Sequence, residues 1–162
     1  MMNYEEGQTL LEEKFGNDKD NLISLATIAR NCGENGLPRP MVRDVDAYYE
    51  NGVFYVSTHE SSNKIQQIKE NPEVCIAVCG EWFTANGIGE NLGWVLDPKN
   101  AELRKKIRKA FVWYDEVNDE ADQGCCFLAI WLTKGTLNIN HWEKLYHFDF
   151  ENKRMIDQND TF

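Results

Sequence analysis

The sequence is short of positive charge. Its 162 residues include 17 Lys and Arg against 27 Asp and Glu, a formal net charge of −10. This excess opposes the approach of a phosphate backbone or an anionic lipid surface, so the composition argues against a protein that binds nucleic acid or membranes. A small, local basic site is still compatible with it. Apolar residues make up 42% and aromatic residues 12% of the chain, which indicates a folded domain and excludes a disordered acidic segment.

Long apolar runs and metal-binding cysteine pairs are also missing. The longest apolar run, Cys125 to Leu132, is too short to cross a bilayer, and the N-terminal segment lacks the apolar core of a secretory signal. The five cysteines include no Cys-x-x-Cys pair. Cys75 and Cys79 would lie about 13 Å apart along a strand, too far to share one metal ion. We therefore expect reduced, mostly buried thiols and a cytoplasmic protein.

The pattern of apolar residues predicts about seven strands and three helices. One helix spans 4–15, and another spans about 98–115, with Asp97 as its N-cap and Pro98 as its first residue. The strands cluster and do not alternate with helices, so we expect one mostly β domain over residues 1–162, a six- to seven-stranded antiparallel barrel with flanking helices. The eight candidate segments from which we expect about seven strands are 21–29, 41–49, 53–58, 74–80, 81–95, 125–134, 137–139 and 144–150.

The segment from Val53 to Lys64 contains the first indication of a site. A predicted strand ends in Ser57 and Thr58, and a serine pair then opens a helix predicted over 61–71. Lys64 falls in the first turn of this helix, where backbone N–H groups are unpaired and a cation is electrostatically unfavourable. An anion bound at the helix start, with Thr58 and Ser62 as further donors, would explain a lysine there. The alternative is a serine N-cap followed by an exposed lysine.

Arg43 lies on the strand that precedes this segment. Asn51-Gly52 is a strong hairpin signal and joins the two strands. Strand alternation places Arg43 on the same face as the apolar Val45 and Tyr49, where a charge needs a partner. That partner is one of the many acids, solvent at the strand end, or an anion shared with Lys64.

Together these motifs resemble the FMN-binding split barrel of the pyridoxamine 5′-phosphate oxidase superfamily. The matching pieces are Pro-x-x-x-x-Arg at 38–43, Tyr-x-x-Thr at 55–58, Ser-x-Lys at 62–64 and Asn-Pro-Glu-Val at 71–74. The resemblance implies a split β-barrel and a homodimer that binds FMN at its interface. It also implies a set of cofactor contacts: Val42 and Arg43 at the flavin ring or ribityl chain, and Ser57, Thr58, Ser62, Asn63 and Lys64 at the phosphate.

Two features depart from the true oxidases of that superfamily. Asn63 stands where they carry Arg, and their Arg-rich C-terminal substrate segment is absent. Oxidation of pyridoxamine phosphate is therefore not expected. The resemblance implies a small flavoprotein, an FMN-dependent oxidoreductase that transfers hydride between a nicotinamide or another donor and a small-molecule acceptor. Two alternatives stay open: a flavin-binding or sensor module without turnover, and a split barrel that binds heme or a deazaflavin.

The sequence assigns neither a catalytic residue nor a metal site. No general base stands out near the predicted site, so the chemistry is expected to come from the flavin itself. His59, His141 and His147 do not have metal-ligand spacing. His59 could polarise a flavin phosphate or a substrate, but we interpret it as a loop histidine.

Overall fold

The computed structural model describes residues 2–141 and 143–156. Within them the strands are β1 (Asn21–Ile28), β2 (Pro40–Glu50), β3 (Val53–His59), β4 (Glu73–Val78), β5 (Phe83–Trp94), β6 (Cys125–Ile139), β7 (Lys144–Asp149) and β8 (Arg154–Ile156). The helices are α1 (Tyr4–Phe15), α2 (Asn63–Glu70), α3 (Ala101–Ala110) and α4 (Tyr114–Val117), with a 3₁₀ turn at Pro98–Asn100 before α3.

Six of these strands close into an antiparallel barrel. The order is β3-β2-β1-β4-β5-β6, and pairing of β3 with β6 closes it. β7 and β8 extend the sheet beyond β6. The predicted split barrel is thereby confirmed, and β8 is an addition. The predicted break between the strands at 125–134 and 137–139 is wrong, because β6 runs through both segments. A shift in the pairing of β5 with β6 leaves Thr133 as one extra residue in β6, and the strand continues past it.

The hairpin of β2 and β3 forms as predicted. Asn51 and Gly52 have φ values of 50° and 79°, the left-handed conformations that a two-residue hairpin turn requires. The turn sets the register in which Tyr48 lies opposite Tyr55. This register carries the Arg43 end of β2 and the Thr58 end of β3 toward the same end of the barrel.

The helix predicted over about 98–115 is divided. Asp97 accepts a hydrogen bond from the Lys99 N–H, as expected of an N-cap, but α3 ends at Ala110. Phe111 adopts an extended backbone, and its buried ring stacks on Trp113 at 5.0 Å between centroids. Burial of this ring outside the barrel offsets the helical hydrogen bonds that are lost there.

Helices α1 and α2 cover opposite ends of the barrel. Leu11 and Phe15 of α1 and Ile65 and Ile68 of α2 all join the apolar cluster in its interior. A second apolar cluster lies outside the barrel, where α3 and α4 pack on residues such as Phe127 of β6. The end covered by α2 is the one at which Arg43 and Thr58 lie.

The cysteines are less buried than expected. Cys125 and Cys126 are buried on opposite faces of β6, whereas Cys32, Cys75 and Cys79 are exposed. Cys75 faces outward because its neighbours on β4 fill the core. All five thiols are free. No helix of the described residues is long and apolar enough to span a membrane.

Candidate functional site

In the described part of the chain, the start of α2 presents hydrogen-bond donors that no side-chain acceptor caps. Ser62 occupies the N-cap position, but its side chain does not cap the helix, and the first turn contains no acidic residue. The first backbone N–H groups of a helix have no partner within it, and they carry a partial positive charge. The Ser62 hydroxyl oxygen lies 3.4 Å from that of Thr58. This helix start is therefore suited to an anion.

The Arg43 side chain lies at the same end of the barrel, on the inward face of β2. Its Nη1 donates to the Thr27 hydroxyl at 2.6 Å and to the Leu25 carbonyl at 3.2 Å, and its Nη2 donates to Gln67 Oε1 at 2.9 Å. All three acceptors are neutral, and burial lowers the pKa of Arg43. The guanidinium is thus held by hydrogen bonds while its charge stays uncompensated by a carboxylate among these partners.

Lys64 adds a second cation beside the first. The pKa of its half-buried ammonium is lowered, first by burial and then by the positive charge of Arg43. Among residues 2–141 and 143–156, no hydrogen bond or ion pair to the Lys64 ammonium is present. Two neighbouring cations without a counter-charge destabilise each other, and an anion bound between them relieves this repulsion.

Cys126 does not supply the missing negative charge. It lies opposite Thr58 in the pairing of β3 with β6 and is buried. Burial, followed by the charge of Glu60, raises the pKa of Cys126 to about 11, although Lys64 acts in the opposite direction. The group therefore remains a neutral thiol near pH 7.

The structure brings four of the seven predicted cofactor-binding residues together, leaves one exposed beside them, and places two on the outer surface of the barrel. Arg43, Thr58, Ser62 and Lys64 are gathered at the barrel end, and Asn63 is exposed at the start of α2. Ser57 faces outward and donates to Asn118 Oδ1 at 3.0 Å. Val42 also faces outward and is 69% exposed. Ser57 and Val42 therefore do not contact the gathered donors.

Thr27 and Gln67 are members of the site that the sequence reasoning missed. Thr27 is buried and donates to Gln67 Oε1 at 2.6 Å, while both residues accept from Arg43. Two signals could have found them. Thr27 follows Leu25 by two residues on the inward face of its strand, and Gln67 follows Lys64 by three residues, one helical turn.

His59 belongs to a separate surface cluster. It is the last residue of β3, where it pairs with Cys125, so the interpretation of His59 as a loop histidine is wrong. Its Nδ1 accepts from the Ser61 backbone N–H at 3.1 Å, and its Nε2 lies 3.1 Å from Asp122 Oδ2. A hydrogen bond from the Gly124 N–H is the main reason that the pKa of Asp122 is lowered. No group of three or more His, Cys, Asp or Glu in the described part of the chain could hold a metal ion.

The clefts in the described part of the chain include two that are large enough for a small molecule. One has a volume of about 370 Å³ and runs along α2, with Ile65, Ile68, Lys69 and Gly89 in its lining. The other has a volume of about 500 Å³ and lies between the 3₁₀ turn and α3 on one side and the outer face of the barrel on the other, where Trp131 is exposed. Both volumes are within the range of small-molecule sites.

The chain is similar to known proteins at the level of three-dimensional structure. No protein-family profile matches the sequence, and no curated protein matches it. Solved structures do match. A heme-binding protein from Mycobacterium smegmatis superimposes with a TM-score of 0.64 at 13% identity, covering 88% of this chain and 58% of that one.

Two Clostridium acetobutylicum proteins also match. A NimC/NimA family protein has a TM-score of 0.59 at 19% identity, covering 90% of this chain and 94% of that one. A protein related to general stress protein 26, described as belonging to the pyridoxinephosphate oxidase family, has a TM-score of 0.56 at 16% identity, covering 93% and 96%. These similarities show that the chain has the split-barrel fold of these proteins, as the sequence motifs predicted.

Proposed function

We propose that this protein binds FMN by its phosphate at the start of α2 and acts as an oxidoreductase. The observation that carries the proposal is the pair of cations, Arg43 and Lys64, held beside unpaired helix N–H groups without a carboxylate among their partners. A phosphate monoester carries close to two negative charges and several acceptor oxygens, so it matches both the charge and the donors.

The chain's own residues would bind and orient the cofactor. In this proposal Lys64, Ser62, Thr58 and the helix N–H groups hold the phosphate, and Arg43 neutralises its second charge. FMN supplies hydride transfer when bound, so no side-chain nucleophile is required. The donor is a nicotinamide or another reductant, and the acceptor is a small molecule. Such donors are present in the cytoplasm, which is the location that we propose.

The proposal includes a second copy of this chain. The outer faces of β1, β2 and β4 lie side by side, with Val42 opposite Ala26 and Ala26 opposite Cys75. Val42 is 69% exposed and Leu22 is 56% exposed on this surface. Two such faces would pack against each other around the flavin ring, as the resemblance to split-barrel flavoproteins implies.

Light scattering tests the dimer. We expect the mass of two chains for the wild type and of one chain for Val42→Asp, with weaker FMN binding in the variant. Val112→Asp is the matched control, since Val112 is 92% exposed elsewhere on the surface. A wild-type protein that is monomeric with FMN bound would contradict this part of the proposal.

A visible spectrum of the protein purified from cells tests the cofactor. We expect flavin bands, and a released ligand with the mass of FMN. Heme is the second candidate, because the chain resembles a heme-binding protein in fold; its sharp Soret band would exclude the flavin. A ligand with the mass of a deazaflavin would likewise overturn the FMN assignment.

Turnover is tested separately from binding. FMN-loaded protein is reduced with NADH or NADPH and mixed with a panel of quinones and nitroaromatic compounds. Rapid reoxidation coupled to loss of acceptor is the expected result. Bound FMN that shows no turnover with any donor and acceptor would instead identify a flavin-binding or sensor module.

A further inference from the structure

The Arg43 guanidinium is held in a closed ring of hydrogen bonds that contains no acid. Arg43 donates to the hydroxyl of Thr27 at 2.6 Å and to Oε1 of Gln67 at 2.9 Å, and Thr27 donates to the same Oε1 at 2.6 Å. The ring joins β1, β2 and α2. Both neutral partners are buried, so the arrangement is protected from water.

A neutral partner at this position is chemically unusual, because a buried or half-buried arginine is ordinarily paired with a carboxylate. The chain has 27 acidic residues, and Glu would reach as far as Gln at position 67. A carboxylate there would satisfy the same two donors and cancel the charge. The amide satisfies the donors and leaves the charge in place.

The amide also has a fixed orientation. Because two donors meet Gln67 Oε1, the NH₂ group of the same amide is directed away from them. Lys64 lies one helical turn before Gln67 on the same face of α2. The guanidinium and the ammonium are donors, the amide keeps its NH₂ group as a further donor, and the hydroxyl groups of Thr58 and Ser62 can donate as well.

We infer that Thr27 and Gln67 are positioning residues that orient Arg43 without neutralising it and so make the site selective for a dianionic phosphate monoester. The inference rests on the proposed function and extends it from binding to selectivity. Because the neutral ring leaves both cations available, the site discriminates between FMN and the uncharged riboflavin. Neither residue is required to touch the flavin ring.

The test is Gln67→Glu, which keeps the shape and adds one negative charge beside Arg43. We expect FMN affinity to fall by about tenfold to a hundredfold while riboflavin affinity stays unchanged. We also expect the thermal midpoint of the ligand-free protein to stay the same or rise, and the stabilisation by inorganic phosphate to be lost. General damage to the fold would lower the thermal midpoint and the affinity for both flavins together.

Asn71→Asp is the matched control, because it adds the same charge at the far end of α2 without losing a hydrogen bond. Asn71 Oδ1 accepts from the Glu73 backbone N–H, as an aspartate would, and Asn71 is not among the hydrogen-bond partners of Arg43. Thr27→Val is a second variant that breaks the ring without adding charge, and it should also lower the preference for FMN over riboflavin.

The outcomes separate this inference from the proposed function. If wild type binds neither FMN nor phosphate, the proposed function fails. If wild type binds FMN and Gln67→Glu binds it equally well, or if the control weakens binding as much, the positioning role is overturned and the FMN site stands.

Discussion

Lys64→Ala isolates the contribution of one cation to the proposed site. An ammonium about 4 Å from a phosphate contributes about 4 kcal/mol at an effective dielectric constant of about 20. Lys64 is only half-buried, so solvent screening reduces this contribution. Charge-assisted hydrogen bonds contribute about 1.5–3 kcal/mol, and we adopt this range. It corresponds to a loss of about tenfold to a hundredfold in FMN affinity.

The same substitution should not destabilise the ligand-free protein. Lys64 has no ion pair within residues 2–141 and 143–156, and Arg43 repels it. Removing the charge therefore leaves the free energy of unfolding unchanged or raises it, whereas ligand affinity falls. Few structural defects would produce this combination.

Quenching of FMN fluorescence measures the affinity, and urea denaturation without ligand measures the stability. Lys69→Ala is the matched control, because it removes an exposed lysine from the other end of the same helix. Affinity equal to wild type in Lys64→Ala would refute the phosphate assignment. An equal loss in both variants would refute it too, since general charge and not the site would then be responsible.

Three further predictions follow from the same structure. Because the pKa of Lys64 is lowered from 10.5, the unfolded chain binds more protons than the folded chain as the pH approaches 10.5 from below. The ligand-free stability of wild type relative to Lys64→Ala should therefore rise with pH toward 10.5. FMN affinity should fall over the same range, and both quantities are measured as a function of pH. Asn63→Arg adds a cation at the exposed start of α2 and should tighten FMN several-fold in the quenching assay, but not riboflavin. Phe15→Ala removes a fully buried ring at the opposite barrel end and should cost about 3–5 kcal/mol in urea denaturation without changing the FMN affinity of the folded protein.

The sequence alone was sufficient to predict those elements whose conformation depends on residues close together in the chain. The bounds of α1 match the prediction at both ends, and Asn3 and Glu6 form a capping box at its start. The Asn51-Gly52 turn likewise forms the predicted hairpin. Both features depend on residues within a few positions of each other, so pattern and propensity can identify them.

Local signals failed where distant packing decided the backbone. The end of α3 at Ala110 depends on burial of the Phe111 ring outside the barrel. The continuity of β6 depends on a register shift against β5, and the outward direction of Cys75 depends on which face of β4 meets the core. These outcomes follow from contacts between elements far apart in sequence, which a single-chain pattern does not contain.

The sequence by itself determined the strand-rich class of the fold, the hairpin, and the presence of Arg43 and Lys64 near a hydroxyl-rich helix start. Only the tertiary structure decided which side chains lie next to those two cations. Closure of the barrel placed Thr27 and Gln67 against Arg43 and turned Ser57 and Val42 outward. The reason is physical: strand alternation gives a side chain one of two faces, but the partner it finds there comes from strands and helices that only folding brings together.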